Sequence, residues 1–152
     1  MHILSNQMIV LVTGGFDPIH SGHIKLFNNA KILAPKLIVG INSDEWLIRK
    51  KGKPFMDINE RSIIIKHLHM VDRILTYDDS DDTSNNAIQY LLDTTDDDIV
   101  FANGGDRHNE NVPELIKYKD HERVNFAWGI GGVGKQQSSS WILKAWKEHE
   151  NT

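Results

Sequence analysis

Five short apolar runs, separated by stretches with helical patterns, restrict this chain to a small number of folds. The runs are nearly continuous in apolar residues rather than alternating, as strands covered on both faces of a sheet are. They span Met8–Thr13, Leu37–Ile41, Asp72–Tyr77, Asp98–Ala102 and Arg123–Trp128. Because strands that alternate with helices form βαβ units, the pattern predicts an α/β fold. We expect a Rossmann-like, doubly wound sheet of five parallel strands with helices on both faces.

The helical patterns account for much of the remaining chain. They cover Gly22–Leu33, Glu45–Arg49, Asn59–Met70, Ser84–Leu92 and Ser138–Glu148. The sequence has 152 residues and contains neither repeats nor a linker of low complexity. It is therefore predicted to form a single domain over residues 1–152.

Composition excludes several classes of function. A net charge of −4 at pH 7 provides no overall attraction for nucleic acid or for an anionic membrane. The absence of cysteine excludes disulfides and thiolate chemistry and fits a reducing compartment. No apolar run approaches the ~20 residues of a membrane span, and the N-terminus lacks the layout of a signal peptide. We therefore expect a cytoplasmic protein with no nucleic-acid or membrane partner.

Ligands of doubly wound sheets bind beyond the carboxyl ends of the strands, where loops lead into helices. This rule brings four polar loops to one edge of the predicted sheet. They are Thr13–His23, Asn42–Lys53, Asn103–Asn109 and Gly129–Ser140. The acidic runs DDSDD and DTTDDD are interpreted as solvated loops and are not assigned to the site.

The first of these loops, within LVTGGFDPIHSGHIKLF, combines a glycine pair with two histidines. Gly14 and Gly15 allow the backbone to turn sharply and to approach a ligand closely. Ser21 is predicted as the N-cap of the helix that follows. A helix N-terminus with free N–H groups binds anions readily, so the loop is predicted to handle a phosphate.

The two histidines, His20 and His23, lie three residues apart across the first helical turn. Both are expected to project toward the bound anion, and Gly22 leaves space between them. One alternative is a plain surface turn with solvated histidines. Another is a metal site, but zinc requires three or four ligands and no third ligand lies near in the sequence.

These residues carry a resemblance to a known family. GGFDPIHSGH resembles the H-x-G-H signature of the nucleotidyltransferase superfamily. That superfamily includes glycerol-3-phosphate and phosphocholine cytidylyltransferases and the pantetheine-phosphate, nicotinate-mononucleotide and heptose-phosphate adenylyltransferases. HIKLFNNAK and VGINSDEW are similar to blocks of the glycerol-3-phosphate enzymes, and KKGKPFMDINERSIII is similar to a lysine loop and the next helix start. ANGGDR is similar to the GGD of the heptose-phosphate enzymes, so the resemblance covers residues 8–145, almost the whole chain.

The resemblance implies nucleotidyl transfer from a nucleoside triphosphate, carried with Mg²⁺, to a phosphorylated small molecule, with release of pyrophosphate. The catalytic residues that it implies are His20, His23, Lys50, Lys53 and Arg61. The residues that it assigns to the nucleotide are Thr13, Gly14, Gly15, Phe16, Asp17, Gly22, Asn103, Gly104, Asp106, Ser138, Ser139 and Ser140. It assigns Asp44, Arg107 and Lys135 to the second substrate and no residue to a metal.

Several of these residues have plainer alternatives. The basic run RKKGK is either a solvated turn or a lid that closes over the triphosphate. Asp44 is either a contact of the second substrate or a helix cap. Arg61 either binds phosphate or supports the loop.

The last loop contains GIGGVGKQ, from Gly129 to Gln136, which fits the spacing of a P-loop. Gln136 replaces the Ser or Thr whose hydroxyl ligates Mg²⁺, which disfavours a P-loop NTPase. QQSSSWIL instead resembles the C-terminal serine element of the family. Similar cytidylyltransferases carry an arginine shortly before that element, whereas here the nearest cation is Lys135.

The predicted function is therefore transfer of CMP from CTP to a phosphorylated polyol, sugar or alcohol, by a protein expected to be a homodimer. The alternative is an adenylyltransferase that uses ATP. HIKLF and SDEW favour the first and GGD favours the second. A nucleotide-sensing module without turnover is a third alternative, which the intact histidines and lysines disfavour.

Overall fold

The computed structural model describes residues 7–104, 112–130 and 139–150. The five predicted strands are all present. They are β1 (Met8–Gly14), β2 (Lys36–Ile41), β3 (Arg73–Thr76), β4 (Asp98–Ala102) and β5 (Val124–Ala127). They form one sheet in the order β3-β2-β1-β4-β5, and every pairing is parallel. The predicted Rossmann-like architecture is confirmed.

The described residues form six helices. They are α1 (Ser21–Lys31), α2 (Asp44–Lys51), α3 (Ile58–Lys66), α4 (Asn85–Thr94), α5 (Pro113–Tyr118) and α6 (Ser139–Glu150). The short helix α5 is missing from the prediction, because six residues show too little of a helical period. None of the described helices is long and apolar enough to cross a membrane.

Helix α2 is longer than its sequence pattern indicates and α3 is shorter. Three cations occupy the last turn of α2, where positive charge interacts favourably with the helix dipole, so the helix continues to Lys51. Gly52 ends it at φ 96°, a conformation that glycine adopts without strain. Helix α3 ends at Lys66, before the predicted Met70.

The central strand β1 is buried on both faces, and its side chains alternate between two cores. Val10 and Val12 pack with residues of α1 and α3, whereas Ile9 and Leu11 pack with residues of α4 and α5. Each of the four is at most 1% exposed, so each burial contributes about 1.5–3 kcal/mol. Burial on both faces explains why the strand sequences are continuously apolar.

The carboxyl edge of the sheet begins where Thr13 of β1 lies opposite Gly40 of β2. A Cβ at Gly40 would come within 2.8 Å of Thr13 Cγ2 and 3.1 Å of Tyr77 Cε1. Glycine is therefore needed for the side chains of Thr13 and Tyr77 to meet there. These side chains lie on the face that α4 covers, whereas α1 covers the opposite face, so the end of β1 divides this edge into two sides.

Candidate active site

The first loop joins β1 to α1 and packs closely against its own phenylalanine and against α2. A Cβ at Gly14 would lie 2.9 Å from Phe16 Cζ. A Cβ at Gly15 would lie 3.0 Å from Leu47 Cδ2 and 3.2 Å from Trp46 Cζ3. A side chain at Gly14 would force the ring of Phe16 to shift, and one at Gly15 would press on Leu47 and Trp46, so the glycine pair serves packing within the protein as well.

The ring of Phe16 belongs to the core rather than to a ligand site. It is 5% exposed and contacts the rings of His23 and Phe27 edge-on, with centroids 4.9 Å and 5.3 Å away. The residue also has a positive φ of 54°. The nucleotide role predicted for Phe16 is therefore not supported for its side chain, which instead supports the ring of His23.

His20 and His23 cap the start of α1 reciprocally. The Nδ1 of His20 accepts a hydrogen bond from the N–H of Gly22 at 3.0 Å, and the Nδ1 of His23 accepts one from the N–H of His20 at 3.2 Å. The two rings are stacked, with centroids 3.8 Å apart. The N-cap is therefore His20 and the predicted cap at Ser21 is wrong, because an imidazole supplies the acceptor that a hydroxyl usually supplies.

This capping fixes the tautomers of both histidines. Because each Nδ1 accepts a backbone N–H, each neutral ring carries its proton on Nε2. Burial lowers the pKa of His20. Burial, and then the neighbouring His20, lower the pKa of His23 to about 3. At pH 7 the pair therefore presents two neutral Nε2–H donors, and an anion is stabilised here by hydrogen bonds rather than by imidazolium charges.

Asp17 connects the first loop to the segment that follows α2. Its carboxylate is 1% exposed and accepts hydrogen bonds from the N–H groups of Phe55 and Met56, each at 2.6 Å. The Nζ of Lys51 lies 2.9 Å from the same carboxylate and donates to the Asp17 carbonyl at 2.6 Å. These contacts are all internal, so the predicted nucleotide role of Asp17 is not supported. It positions the loop.

Arg61 of α3 is enclosed beneath the loops, with no exposed side-chain surface. Its Nη1 donates to the carbonyls of Gly15 at 2.9 Å and Asn42 at 2.7 Å, and its Nε donates to the Met56 carbonyl at 3.0 Å. Its Nη2 donates to Asp44 Oδ1 at 2.6 Å. These four contacts favour the alternative predicted for Arg61, support of the loop. Its catalytic role stays a prediction.

Asp44 begins α2 and is the counter-ion of Arg61. The N-cap of α2 is Ser43, whose Oγ accepts a hydrogen bond from the N–H of Trp46 at 3.0 Å, so the capping alternative for Asp44 is wrong by one residue. The Asp44 side chain is 30% exposed. Its assignment to the second substrate stays a prediction.

The basic run RKKGK divides into paired and unpaired cations. The Nη2 of Arg49 lies 2.9 Å from Asp82 Oδ1, and Lys51 forms the ion pair with Asp17 described above. Both cations hold neighbouring loops in place. Neither has its charge available for a ligand in this arrangement.

The other two cations of the run, Lys50 and Lys53, form no ion pair with the residues that the structure describes. The Nζ of Lys50 lies 5.3 Å from the ring centre of Trp46, and both lysines are exposed. These are the two lysines that the family resemblance assigns to the triphosphate. The run is the last turn of α2 followed by Gly52 rather than a loop throughout.

A small cavity lies on the α4 side of Gly14, and we call it the edge cavity. Its volume is about 160 Å³. Gly14 and Trp46 contribute to its wall, and the other lining residues are all polar. They are Thr13, Asn42, Asp82, Thr83, Ser84 and Glu114.

Hydrogen bonds connect the cavity wall to four elements of the fold. Thr13 Oγ1 lies 2.7 Å from Ser84 Oγ, and the Ser84 N–H donates to Glu114 Oε2 at 2.6 Å. The Tyr77 hydroxyl lies 3.4 Å from Ser84 Oγ and accepts from Asn42 Nδ2 at 3.1 Å. The network thus links β1, the end of β2, the start of α4 and α5.

The loop between β3 and α4 contains functional candidates that the sequence interpretation missed. Asp79 is 3% exposed and accepts hydrogen bonds from Asn42 Nδ2 and from the N–H and Oγ of Ser43 at 2.7–3.0 Å. The interpretation of DDSDD as a solvated loop is therefore wrong for Asp79, and Asp82 lines the edge cavity. The rule that places loops at the carboxyl edge applies to this loop as well and was sufficient to find it.

The remaining predicted residues are only partly described. Asn103 follows β4, and its Nδ2 is buried without a hydrogen-bond partner among the described residues. An unpaired buried donor at this edge is suited to a ligand. Gly104 is half-buried beside it. Ser139 Oγ donates to the Pro18 carbonyl at 2.8 Å and holds the start of α6 beside the first loop.

The other predicted site residues lie at the start of α6 or outside the described ranges. Ser140 is exposed at the start of α6. The predicted residues Asp106, Arg107, Lys135 and Ser138 lie outside the described residues, as does most of the P-loop-like stretch. Within the described ranges no three histidine or carboxylate side chains are arranged to hold a metal.

The fold and the site together define a nucleotidyltransferase: a parallel sheet whose first loop presents two histidine donors at a helix N-terminus, with two lysines at the end of the next helix and just beyond it that form no ion pair with described residues. The chain belongs to the cytidylyltransferase-like family, which matches it over residues 11–140. The predicted superfamily and the prediction of an enzyme are confirmed at this level.

The chain is similar to part of larger curated proteins. The bifunctional protein HldE of Helicobacter hepaticus is 33% identical over 128 residues, and that of Blochmanniella floridana is 36% identical over 108 residues. These matches cover 83% and 70% of this chain but only 25% and 21% of the relatives. A solved structure of the lipopolysaccharide core biosynthesis protein from Thermoplasma volcanium GSS1 has the same fold. Its TM-score is 0.64 at 23% identity, over 87% of this chain and all of that one.

Proposed function

We propose that this chain transfers a nucleoside monophosphate from a nucleoside triphosphate to a phosphorylated small molecule and releases pyrophosphate. One observation carries the proposal. His20 and His23 use their Nδ1 atoms to cap α1 and keep two Nε2–H donors side by side. Fixed donors in a partly desolvated site stabilise developing phosphate charge without reorganisation.

The protein itself takes little part in the covalent chemistry of this reaction. A phosphate oxygen of the acceptor attacks the α-phosphorus in line and forms a new P–O bond. The bond between the α-phosphorus and the bridging oxygen breaks, and its electron pair leaves with pyrophosphate. The attacking phosphate oxygen is already deprotonated near pH 7, so no general base is needed. Catalysis then rests on positioning and on stabilisation of charge.

The cations of the site have separate tasks in this proposal. Lys50 and Lys53 bind the β- and γ-phosphates, because their charges are not neutralised by the described chain. Mg²⁺ enters with the triphosphate as part of the substrate and is held chiefly by phosphate oxygens. Arg61 and Asp17 hold the loops that carry these groups.

CTP is the donor that the sequence favours, through its resemblance to glycerol-3-phosphate cytidylyltransferases. ATP is the second candidate, and a specific observation favours it. ANGGDR is similar to the GGD block of heptose-phosphate adenylyltransferases, and the curated relatives named above are HldE proteins rather than single-domain cytidylyltransferases.

Two measurements test the proposal. Thermal shift with Mg²⁺ and either CTP or ATP identifies the nucleotide, because the preferred one raises the melting temperature more at equal concentration. Pyrophosphate release is then measured with that nucleotide and a panel of sugar and polyol phosphates. Tight nucleotide binding without pyrophosphate release from any acceptor would favour the nucleotide-sensing module. Light scattering of the same sample tests the homodimer expected from the family resemblance.

A further inference from the structure

The edge cavity offers hydrogen-bond acceptors that the described chain does not use. Asp82 Oδ1 accepts both hydrogen bonds from Arg49, at 3.1 Å from Nε and 2.9 Å from Nη2, whereas Oδ2 accepts none from the described residues. Asn42 donates through Nδ2 to Tyr77 and Asp79, whereas its Oδ1 accepts no hydrogen bond from the described residues. Asn42 is 6% exposed, so an unused acceptor on this residue points to a ligand in the cavity.

The backbone of Asp82 is held in a conformation that other residues avoid. Its φ is 62°, in the left-handed region that asparagine and aspartate tolerate better than other side chains. The Arg49 guanidinium donates two hydrogen bonds to the Asp82 carboxylate. The Asp82 N–H donates to the Asp79 carbonyl at 2.9 Å. Residues fixed in such conformations by their surroundings cluster at functional sites.

The size of the edge cavity limits what it can hold. A volume of about 160 Å³ corresponds to about five water molecules at ~30 Å³ each. Pockets for molecules of nucleotide size begin at roughly 300 Å³. The cavity therefore suits the smaller reactant, next to Gly14.

The chemistry of the wall limits the ligand further. Among the described residues, two carboxylates, an amide and three hydroxyls line the cavity, and no cation does. A phosphate or carboxylate group has no donor for the unused oxygens of Asp82 and Asn42, whereas hydroxyl groups would be bound as donors. An ammonium group is the other donor that carboxylates accept, but it cannot accept a hydrogen bond. A hydroxyl both donates and accepts, and so suits a wall that combines acceptor oxygens with three hydroxyls.

We propose that the edge cavity binds the hydroxyl groups of the acceptor, with Asp82 Oδ2 and Asn42 Oδ1 as the atoms that determine specificity. The acceptor is then a sugar or polyol phosphate. Its phosphate lies at the cavity mouth beside Gly14, and its hydroxyls lie inside. The inference rests on the proposed function and narrows it, because it excludes acceptors whose non-phosphate part is apolar, anionic or cationic.

Binding of matched phosphates to the full chain tests this by calorimetry at constant ionic strength. Glucose 1-phosphate and glycerol 3-phosphate carry hydroxyls. Propyl phosphate lacks them, 3-phosphoglycerate replaces one with a carboxylate, and phosphoethanolamine carries an ammonium group. At least one hydroxyl-bearing compound should bind about tenfold or more tightly than all three analogues, as expected for hydrogen bonds to a charged group. Equal binding of propyl phosphate, tightest binding of phosphoethanolamine, or binding of none of the five would overturn the proposal.

Variants then assign the preference to residues. Asp82→Asn keeps a side chain that tolerates positive φ and removes the carboxylate charge. It should abolish most of the hydroxyl preference and raise the KM for the acceptor about tenfold or more, while nucleotide affinity stays within about twofold. Arg49→Gln removes the ion pair with Asp82 but keeps the carboxylate. It should therefore change the hydroxyl preference and the acceptor KM less than Asp82→Asn does. Asp96→Asn, an exposed carboxylate far along the chain, should have none.

These outcomes separate this inference from the proposed function. If Arg49→Gln reproduces the whole effect, Asp82 acts only through that ion pair and the inference fails. If pyrophosphate is released but Asp82→Asn leaves the acceptor KM unchanged, the inference fails and the proposed function stands. If hydroxyl-selective binding depends on Asp82 but no nucleotide yields pyrophosphate, the proposed function fails and the binding site stands.

Discussion

The two sides of Gly14 differ in the hydrogen-bonding groups that they offer. On the α1 side, His20 and His23 present N–H donors and have lost the charge that imidazoles carry in acid. On the α4 side, Asp82 and Asn42 present unused acceptors. A donor side suits phosphate oxygens and an acceptor side suits hydroxyls. In the proposed reaction, the glycine between them would separate the part of a substrate that reacts from the part that is recognised.

The difference also shows in how each side is held. The histidines are fixed by the backbone of their own helix turn. The acceptor side is fixed by long-range contacts between loops, of which the Arg49–Asp82 pair is one. Changes on the donor side should therefore alter turnover, and changes on the acceptor side should alter selectivity.

The largest effect should come from the residue that holds both sides together, Arg61. Arg61→Met removes the bonds to the carbonyls of Gly15 and Asn42 and leaves Asp44 without its counter-ion. Loss of one partner of a buried ion pair should lower the free energy of unfolding by about 3–5 kcal/mol. Urea denaturation measures this. Arg73→Met, at an exposed arginine of β3, should change it by about 0.5 kcal/mol or less.

The next largest effect should fall on the donor side alone. His20→Asn keeps an N-cap acceptor but removes the Nε2–H donor. Turnover should fall by a factor of about 10² or more, as for loss of a transition-state donor, while the melting temperature and the acceptor KM change little. His23→Gln should behave in the same way, with His69→Gln as an exposed control. Near-normal turnover in both variants would remove the histidines from the mechanism.

A smaller effect should separate the paired and unpaired cations of the RKKGK run. Lys50→Ala with Lys53→Ala should weaken triphosphate binding about tenfold or more and reduce its dependence on salt. Lys51→Ala should instead lower stability, because it leaves the buried Asp17 carboxylate without its cation. Titration of the triphosphate at two salt concentrations measures the first effect. An equal loss of triphosphate affinity in Lys51→Ala would contradict the division into paired and unpaired cations.

Near pH 7 the smallest effect should be a pH dependence of stability on the donor side, which grows as the pH falls. The pKa of His23 in the folded chain is about 3, below its ordinary value of 6.5. The unfolded chain therefore binds a proton in this interval that the folded chain does not. Stability should be lost as the pH falls from about 6.5 toward about 3, by at most about 1.4 kcal/mol per pH unit from this group. His23→Gln should flatten the curve by that amount in denaturation measured at each pH. An unchanged slope would show that the ring titrates normally.

The fold followed from the sequence because its cause is local and repeated. Val10, Val12, Ile9 and Leu11 are apolar in succession, and only a strand covered on both faces requires that. The site could be predicted from the sequence less completely than the fold. The histidine pair could be found from its position at a helix start, but the choice of His20 over Ser21 as N-cap depends on ring rotamers that no sequence pattern specifies.

The roles of buried charged residues could not be predicted for a related reason. Arg61 and Asp17 occupy positions that the family resemblance marks, and the sequence does not tell whether a charged side chain there faces a ligand or the protein interior. That depends on which carbonyl and N–H groups the folded loops leave unpaired. Asp82 was missed for another reason, since an acidic run has the composition of a solvated loop even when one of its carboxylates lines a cavity.

The reciprocal cap at the start of α1 has a consequence for the kinds of reaction that this scaffold could acquire. An imidazole relays a proton by accepting it at one nitrogen while releasing another from the second nitrogen. Here the second nitrogen of each ring faces a backbone amide, which does not give up its hydrogen, so neither ring has an exit for a relayed proton. These two histidines are thereby suited to reactions whose nucleophile arrives already ionised. Conversion to a hydrolase, in which water must be deprotonated, would require a new base from another loop rather than a change of substrate pocket.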